Sequence, residues 1–284
     1  MHIKICGLTC PDDTLAAIDA GADFLGFNFY PASPRYVSPA DCARLISNLR
    51  RSLERSEGGQ LSITTVGIFV NESASFVAAT LDHCGLDLAQ LHGDESPEHL
   101  TALWGRAYKA FRLRREPPER SGELFRRAVE GWDPERQPKR ASQAPSTAPL
   151  QGFAQGACSP DEDEFATFAR ISPGFPALLI DAHAPNAFGG TGQRADWPAA
   201  RAVAAQFPIF LAGGLTPENV AGAVAHVNPW GVDVASGVES APGRKDHSKM
   251  RAFAKAVWEC GGVGEREIPH PHTPTLPHPQ TEFA

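Results

Sequence analysis

A carboxylate at Asp181 stands at the end of the apolar run Ala177, Leu178, Leu179, Ile180, and the cluster Gly189, Gly190, Thr191, Gly192 follows it. An acid at a strand end, beside a loop whose glycines let backbone N–H groups close on an anion, suits proton transfer next to a bound phosphate. Taken alone, the same residues also describe a solvated strand-end Asp before a flexible turn, and a single GGTG is weak evidence. Two later stretches are of the same kind: Ala212-Gly213-Gly214-Leu215-Thr216-Pro217 and Val234-Ala235-Ser236-Gly237-Val238-Glu239. Three glycine-bearing loops after successive apolar segments are much harder to ascribe to chance than one. They predict a phosphate cradle at Gly190, Thr191, Gly192, Gly213, Gly214, Ser236 and Gly237.

Two further side chains could do chemistry. The first apolar segment ends Lys4-Ile5-Cys6-Gly7, and period-two alternation puts Lys4 and Cys6 on one face. A cysteine there can be a general base if cations or helix dipoles stabilise its thiolate; the alternative is a small buried hydrophobe. Arg35 lies in the proline-punctuated stretch Asn28–Val37. Its planar fork suits a carboxylate, while a lone loop arginine is otherwise simply solvated.

These residues need a scaffold, and the pattern around them supplies one. Eight short apolar segments read as strands: His2–Cys6, Asp23–Phe29, Thr64–Val70, Leu86–His92, Ala107–Leu113, Ala177–Ala182, Pro208–Ala212 and Gly231–Ser236. Amphipathic stretches alternate with them: Pro11–Ala20, Pro39–Leu49, Ser73–Leu81, Ser96–Trp104, Asp161–Arg170, Ala195–Gln206, Pro217–His226 and His247–Trp258. Proline follows a capping position at Pro11, Pro39 and Pro217, where its missing N–H costs nothing. Near-continuous apolar strands alternating with helices predict a parallel sheet, and eight such units predict an α/β (β/α)8 TIM barrel in a single domain spanning 1–260. In that fold the strand C-termini and the loops after them build the site.

Two segments depart from the pattern. Residues 115–160 are rich in Pro, Ser, Gln and Arg and read as a disordered insert between strands five and six. Within them Leu124, Phe125, Ala128, Val129 and Trp132 recur at helical spacing, so 122–132 reads as a short docked helix. Residues 261–284 read as a disordered tail.

The 284 residues are 42% hydrophobic with a formal charge of −7, which gives no electrostatic footprint for nucleic acid or an anionic membrane. A small-molecule partner is expected. No apolar run approaches a membrane span and the first residues lack a secretory layout, so the expected compartment is cytoplasmic. Cysteines at 6, 10, 42, 84, 158 and 260 form no CxxC pair and read as reduced thiols. His270, His272 and His278 fall in the Pro-rich tail, where nothing would hold a metal's geometry, and no metal site is expected.

KICGLT at 4–9, SPRYV at 33–37, VGIFVN at 66–71, QLHG at 90–93, LLIDA and GGTGQRADW within 178–197, LAGGLTPENV at 211–220 and VDVASGVESAPGRKD at 232–246 together resemble the phosphoribosylanthranilate isomerases of tryptophan biosynthesis. The resemblance implies an Amadori rearrangement of N-(5-phosphoribosyl)anthranilate that uses neither metal nor cofactor. It implies Cys6 as general base, Asp181 as general acid, Arg35 on the anthranilate carboxylate and the glycine loops on the phosphate. The implied partner is a small phosphosugar bound by a monomer or homodimer. The histidine-pathway isomerase with the same reaction type resembles a two-aspartate arrangement, from which Cys6 departs. A non-catalytic phosphosugar-binding barrel is the reading from another class, and retention of both Cys6 and Asp181 speaks against it.

Overall fold

The computed structural model of the chain describes residues 1–54, 63–103, 105–113, 162–171, 176–182 and 195–260. Its elements run β1 (His2–Cys6), α1 (Pro11–Asp19), β2 (Phe24–Asn28), α2 (Pro39–Glu54), β3 (Thr64–Phe69), α3 (Ala74–Cys84), β4 (Leu88–Leu91), α4 (Pro97–Ala102) and β5 (Ala107–Leu113). They continue with α5 (Glu162–Ile171), β6 (Leu178–Ala182), α6 (Trp197–Ala204), β7 (Ile209–Leu211), α7 (Val220–Val227), β8 (Gly231–Val234), a hairpin of β9 (Glu239–Ala241) and β10 (Arg244–Lys245), and α8 (His247–Cys260). Strands β1 to β8 form a closed barrel in sequence order. Every pairing in it is parallel, including β1 with β8, where Lys4 faces Asp233. The (β/α)8 expectation therefore holds.

Side-chain alternation sorts the barrel into two packed layers. Ile3, Ile5, Leu25, Phe27, Leu91, Ile180, Leu211 and Val232 point outward into the core under the helices. The alternate positions Phe24, Val66, Tyr108, Ala110, Leu179, Phe210 and Ala212 fill the interior. Lys4, Gln90 and Asp233 share that interior parity and are buried, so a charged layer sits inside the barrel.

The observed ends depart from the expected ones for local reasons. The fourth strand begins at Leu88 rather than Leu86, because the Leu86 N–H closes α3 on Leu81 O after Gly85 turns left-handed at φ 69°. The helix expected from Pro217 begins at Val220. Asn219 accepts the Thr216 N–H at 2.9 Å and donates to Gly214 O at 2.8 Å, which holds 216–219 as a turn. The eighth strand stops at Val234, and Ser236–Val238 form one 3-10 turn leading into the hairpin. The 115–160 insert, with its helix expected over 122–132, and the 261–284 tail lie outside the described residues. No helix among the described residues is long and apolar enough to cross a membrane.

Candidate active site

Cys6 ends β1 and Asp181 is the penultimate residue of β6, so both stand where strands deliver side chains to the C-terminal mouth. Both are nearly closed off, at 8% and 5% exposure. Cys6 is paired in register with Gly26 of β2. A Cβ at Gly26 would lie 2.9 Å from the Cys6 sulfur, so the neighbouring strand keeps that space open for the thiol.

Beneath Cys6, the Lys4 ammonium donates to Asp233 Oδ1 and to Gln90 Oε1, both at 2.9 Å, and its charge also acts on the thiol. Burial works against the Lys4 charge, but Asp233 at the head of its neighbours outweighs it and holds the pKa well above the ordinary value. The same burial acts on Cys6 and pushes its thiol up. Lys4 and Lys245 oppose that shift without overcoming it, and Asp233 adds to it. The expected cations are thus present beside Cys6, but in this structure desolvation outweighs them.

Asp181 accepts the Ala182 N–H on Oδ1 at 2.7 Å, and its Oδ2 lies 3.2 Å from His92 Nε2. His92 Nδ1 is 2.9 Å from the side-chain nitrogen of Gln90, whose oxygen also takes the Tyr108 hydroxyl at 3.0 Å. A buried chain of polar contacts therefore runs from the thiol to the carboxyl: Cys6, Lys4, Gln90, His92, Asp181.

Arg35 is not a solvated loop arginine. It is 7% exposed, and its Nε and Nη2 both donate to the Glu239 carboxylate at 2.7 Å. Lys245 donates to the same carboxylate at 3.1 Å and to Ala235 O at 2.9 Å. Burial alone would raise the Glu239 pKa, but Arg35 and Lys245 reverse that and hold it below the usual range. The fork expected to meet a ligand carboxylate already meets a protein one, and Nη1 makes no hydrogen bond to any described residue. Gly7, at φ 77°, lies beneath this side chain; a Cβ there would come within 2.5 Å of Arg35 Cδ.

The loops after β7 and β8 meet. Gly213 and Gly214 have φ of 88° and 61°, and a Cβ on Gly213 would lie 3.1 Å from Asp181 Oδ1, so this loop borders the Asp181 carboxylate directly. Gly237, beside Ser236, packs so tightly on the β7 loop that a Cβ would fall 1.8 Å from Leu215 O. Gly190, Thr191 and Gly192 lie outside the described residues. Among the described residues no cluster of His, Cys, Asp and Glu has the makings of a metal site.

A sequence model described as N-(5'phosphoribosyl)anthranilate (PRA) isomerase matches residues 3–125 and 157–256. The chain belongs to this family. A relative named N-(5'-phosphoribosyl)anthranilate isomerase, from Pelobacter propionicus, is 38% identical over 266 residues, covering 94% of this chain and all of its own length. The crystal structure of phosphoribosyl anthranilate isomerase from Thermotoga maritima is similar at a TM-score of 0.63 and 28% identity, with 93% of this chain and all of that one covered. A second structure of such an isomerase, in complex with reduced 1-(O-carboxyphenylamino)-1-deoxyribulose 5-phosphate, is similar at a TM-score of 0.60 and 27% identity, with 93% and 100% covered.

Sequence reasoning missed Gly26, Gln90, His92, Glu239 and Lys245 as parts of the site. Gln90 and His92 carried a signal: alternation along the fourth strand puts both polar side chains on one face. Glu239 and Lys245 carried none, because their pairing with Arg35 depends on a hairpin that no strand pattern announced.

Proposed function

We propose that this chain isomerises N-(5-phosphoribosyl)anthranilate to 1-(2-carboxyphenylamino)-1-deoxyribulose 5-phosphate in L-tryptophan biosynthesis, with Asp181 as general acid and Cys6 as general base. The observation that carries this reading is the placement of Cys6 and Asp181 on strand ends at one mouth of the barrel, joined beneath by a buried polar chain. Asp181 gives its proton to the furanose ring oxygen while the amine nitrogen lone pair breaks the bond from C1′ to that oxygen, leaving a protonated Schiff base. The Cys6 thiolate then removes the C2′ proton, and the pair of electrons released neutralises the iminium as an enolamine. Proton return to C1′ with loss of the C2′ hydroxyl proton gives the ketone. The Cys6 thiol supplies the proton to C1′ and the Asp181 carboxylate takes the one from the hydroxyl, so no atom is gained or lost and both groups return to their starting states.

Orientation comes from the substrate's two ends. The phosphate sits in the cradle of Gly213, Gly214, Ser236 and Gly237, completed by Gly190, Thr191 and Gly192. The anthranilate carboxylate takes Arg35 Nη1, while Glu239 holds the rest of the guanidinium still. The test is isomerase activity on phosphoribosylanthranilate for the wild type, Cys6→Ser and Asp181→Asn. Turnover by the wild type with a loss of roughly 10²-fold or more in kcat in each variant is expected, since each removes one proton carrier. An Asp181→Asn variant with undiminished kcat sinks the acid assignment, and an inactive wild type sinks the reaction.

A further inference from the structure

The polar chain under the site ends on an unmatched donor. His92 is buried, yet its Nε2 makes no hydrogen bond to any described residue. It lies 3.2 Å from Asp181 Oδ2 but off the line along which its N–H would donate. The ring's protonation can be read along the chain. An ammonium only donates, so Lys4 fixes the Gln90 oxygen toward itself, and the Tyr108 hydroxyl falls on the same oxygen. The amide NH2 of Gln90 therefore faces His92 Nδ1, which must accept. The ring's one proton is left on Nε2, aimed at the acid.

We propose that His92 is the positioning residue of the acid, its Nε2–H held beside Asp181 to take the negative charge that forms on Oδ2 as the substrate is protonated. This rests on the proposed role of Asp181. Oδ1 is already committed to the Ala182 N–H, so the acidic proton belongs to Oδ2, and its loss leaves Oδ2 as the oxygen that needs a donor. While Oδ2 carries the proton, a misaligned donor loses little. Once the proton passes to the ring oxygen, a small rotation of the carboxylate brings the N–H onto a vacant lone pair. An interaction absent from the ground state and present in the transition state raises kcat and leaves binding alone.

The test compares variants that differ only in a donor at that reach. His92→Asn and His92→Leu place no N–H at the Nε2 position, whereas the longer amide of His92→Gln does. Each donorless variant is expected to lose roughly 10- to 100-fold in kcat with KM within about threefold of wild type, the signature of a lost transition-state contact. His92→Gln should recover much of that loss. Added to Asp181→Asn, His92→Asn should lower the residual rate no further. Undiminished kcat in the donorless variants, a His92→Gln variant as slow as His92→Asn, or a full further loss in the Asp181→Asn background each overturns the proposal. A loss confined to KM overturns it as well, since His92 would then be a substrate contact. Failure of the underlying reading looks different: Asp181→Asn itself would turn over normally.

Discussion

At Cys6 two physical effects compete, and their balance sets the pH at which the proposed base works. Burial favours the neutral thiol; Lys4 and Lys245 favour the thiolate; the Cys6 pKa ends above its ordinary value, with Asp233 on the side of burial and Arg35 an added cation nearby. A base must be deprotonated, so the active fraction grows with pH until the raised pKa is passed. The rate kcat/KM should therefore still be climbing past about pH 8.5, the ordinary thiol value. A plateau reached near neutrality would show that the cations win. The thiol's placement is as tightly set as its charge. Gly26→Ala would put a methyl 2.9 Å from the sulfur, closer than real side-chain carbons come, and 3.0 Å from Cys6 Cα, tighter than most of them sit. The thiol must shift, and kcat should fall on the order of 10²-fold, as for a displaced catalytic group. Wild-type turnover in that variant would mean that β2 yields instead.

Among the elements, the loops after β7 and β8 act as one body because Gly237 rests on the backbone of Leu215 and Thr216. Gly237→Ala should pry them apart, raising KM and weakening inhibition by inorganic phosphate together while kcat changes little. Unchanged phosphate affinity would move the cradle elsewhere. Elements were the most legible scale in the sequence. Buried parallel strands announce themselves as apolar runs, and the eight runs fell on the eight strands of the barrel. Their ends were less legible, since termini are set by contacts such as Asn219 to Gly214 O that no periodicity encodes. Within the candidate site, Cys6, Asp181 and the glycines after β7 and β8 could be singled out from the sequence because strand ends in a barrel are where chemistry sits. The partners that tune them, Glu239 on Arg35 and His92 against Asp181, are made by residues distant along the chain.

For the whole molecule, the longest interruption of the pattern falls between β5 and α5. The family match breaks over the same part of the chain, stopping at 125 and resuming at 157. The stretch 133–158 holds few large apolar residues, and loop-closure entropy grows only logarithmically, so a long connection costs about 1–2 kcal/mol more than a short one. Removing 133–158 should leave kcat and KM intact and the thermal midpoint equal or slightly higher; a severalfold rise in KM would make the stretch part of the site. At its other seam the barrel is fastened by residues from opposite ends of the chain. Asp13 of α1 takes the Lys245 N–H at 3.0 Å and His247 at 2.8 Å, and Lys4 finds its counter-ion 229 positions later, at Asp233. This has a consequence for the order of synthesis. The Lys4 ammonium leaves the ribosome well before Asp233 and cannot be buried with its counter-ion until β8 has followed it, because a buried charge without its partner is prohibitively costly. Cys6, the proposed base two residues further on, thus acquires its final surroundings only when translation of the barrel is almost complete.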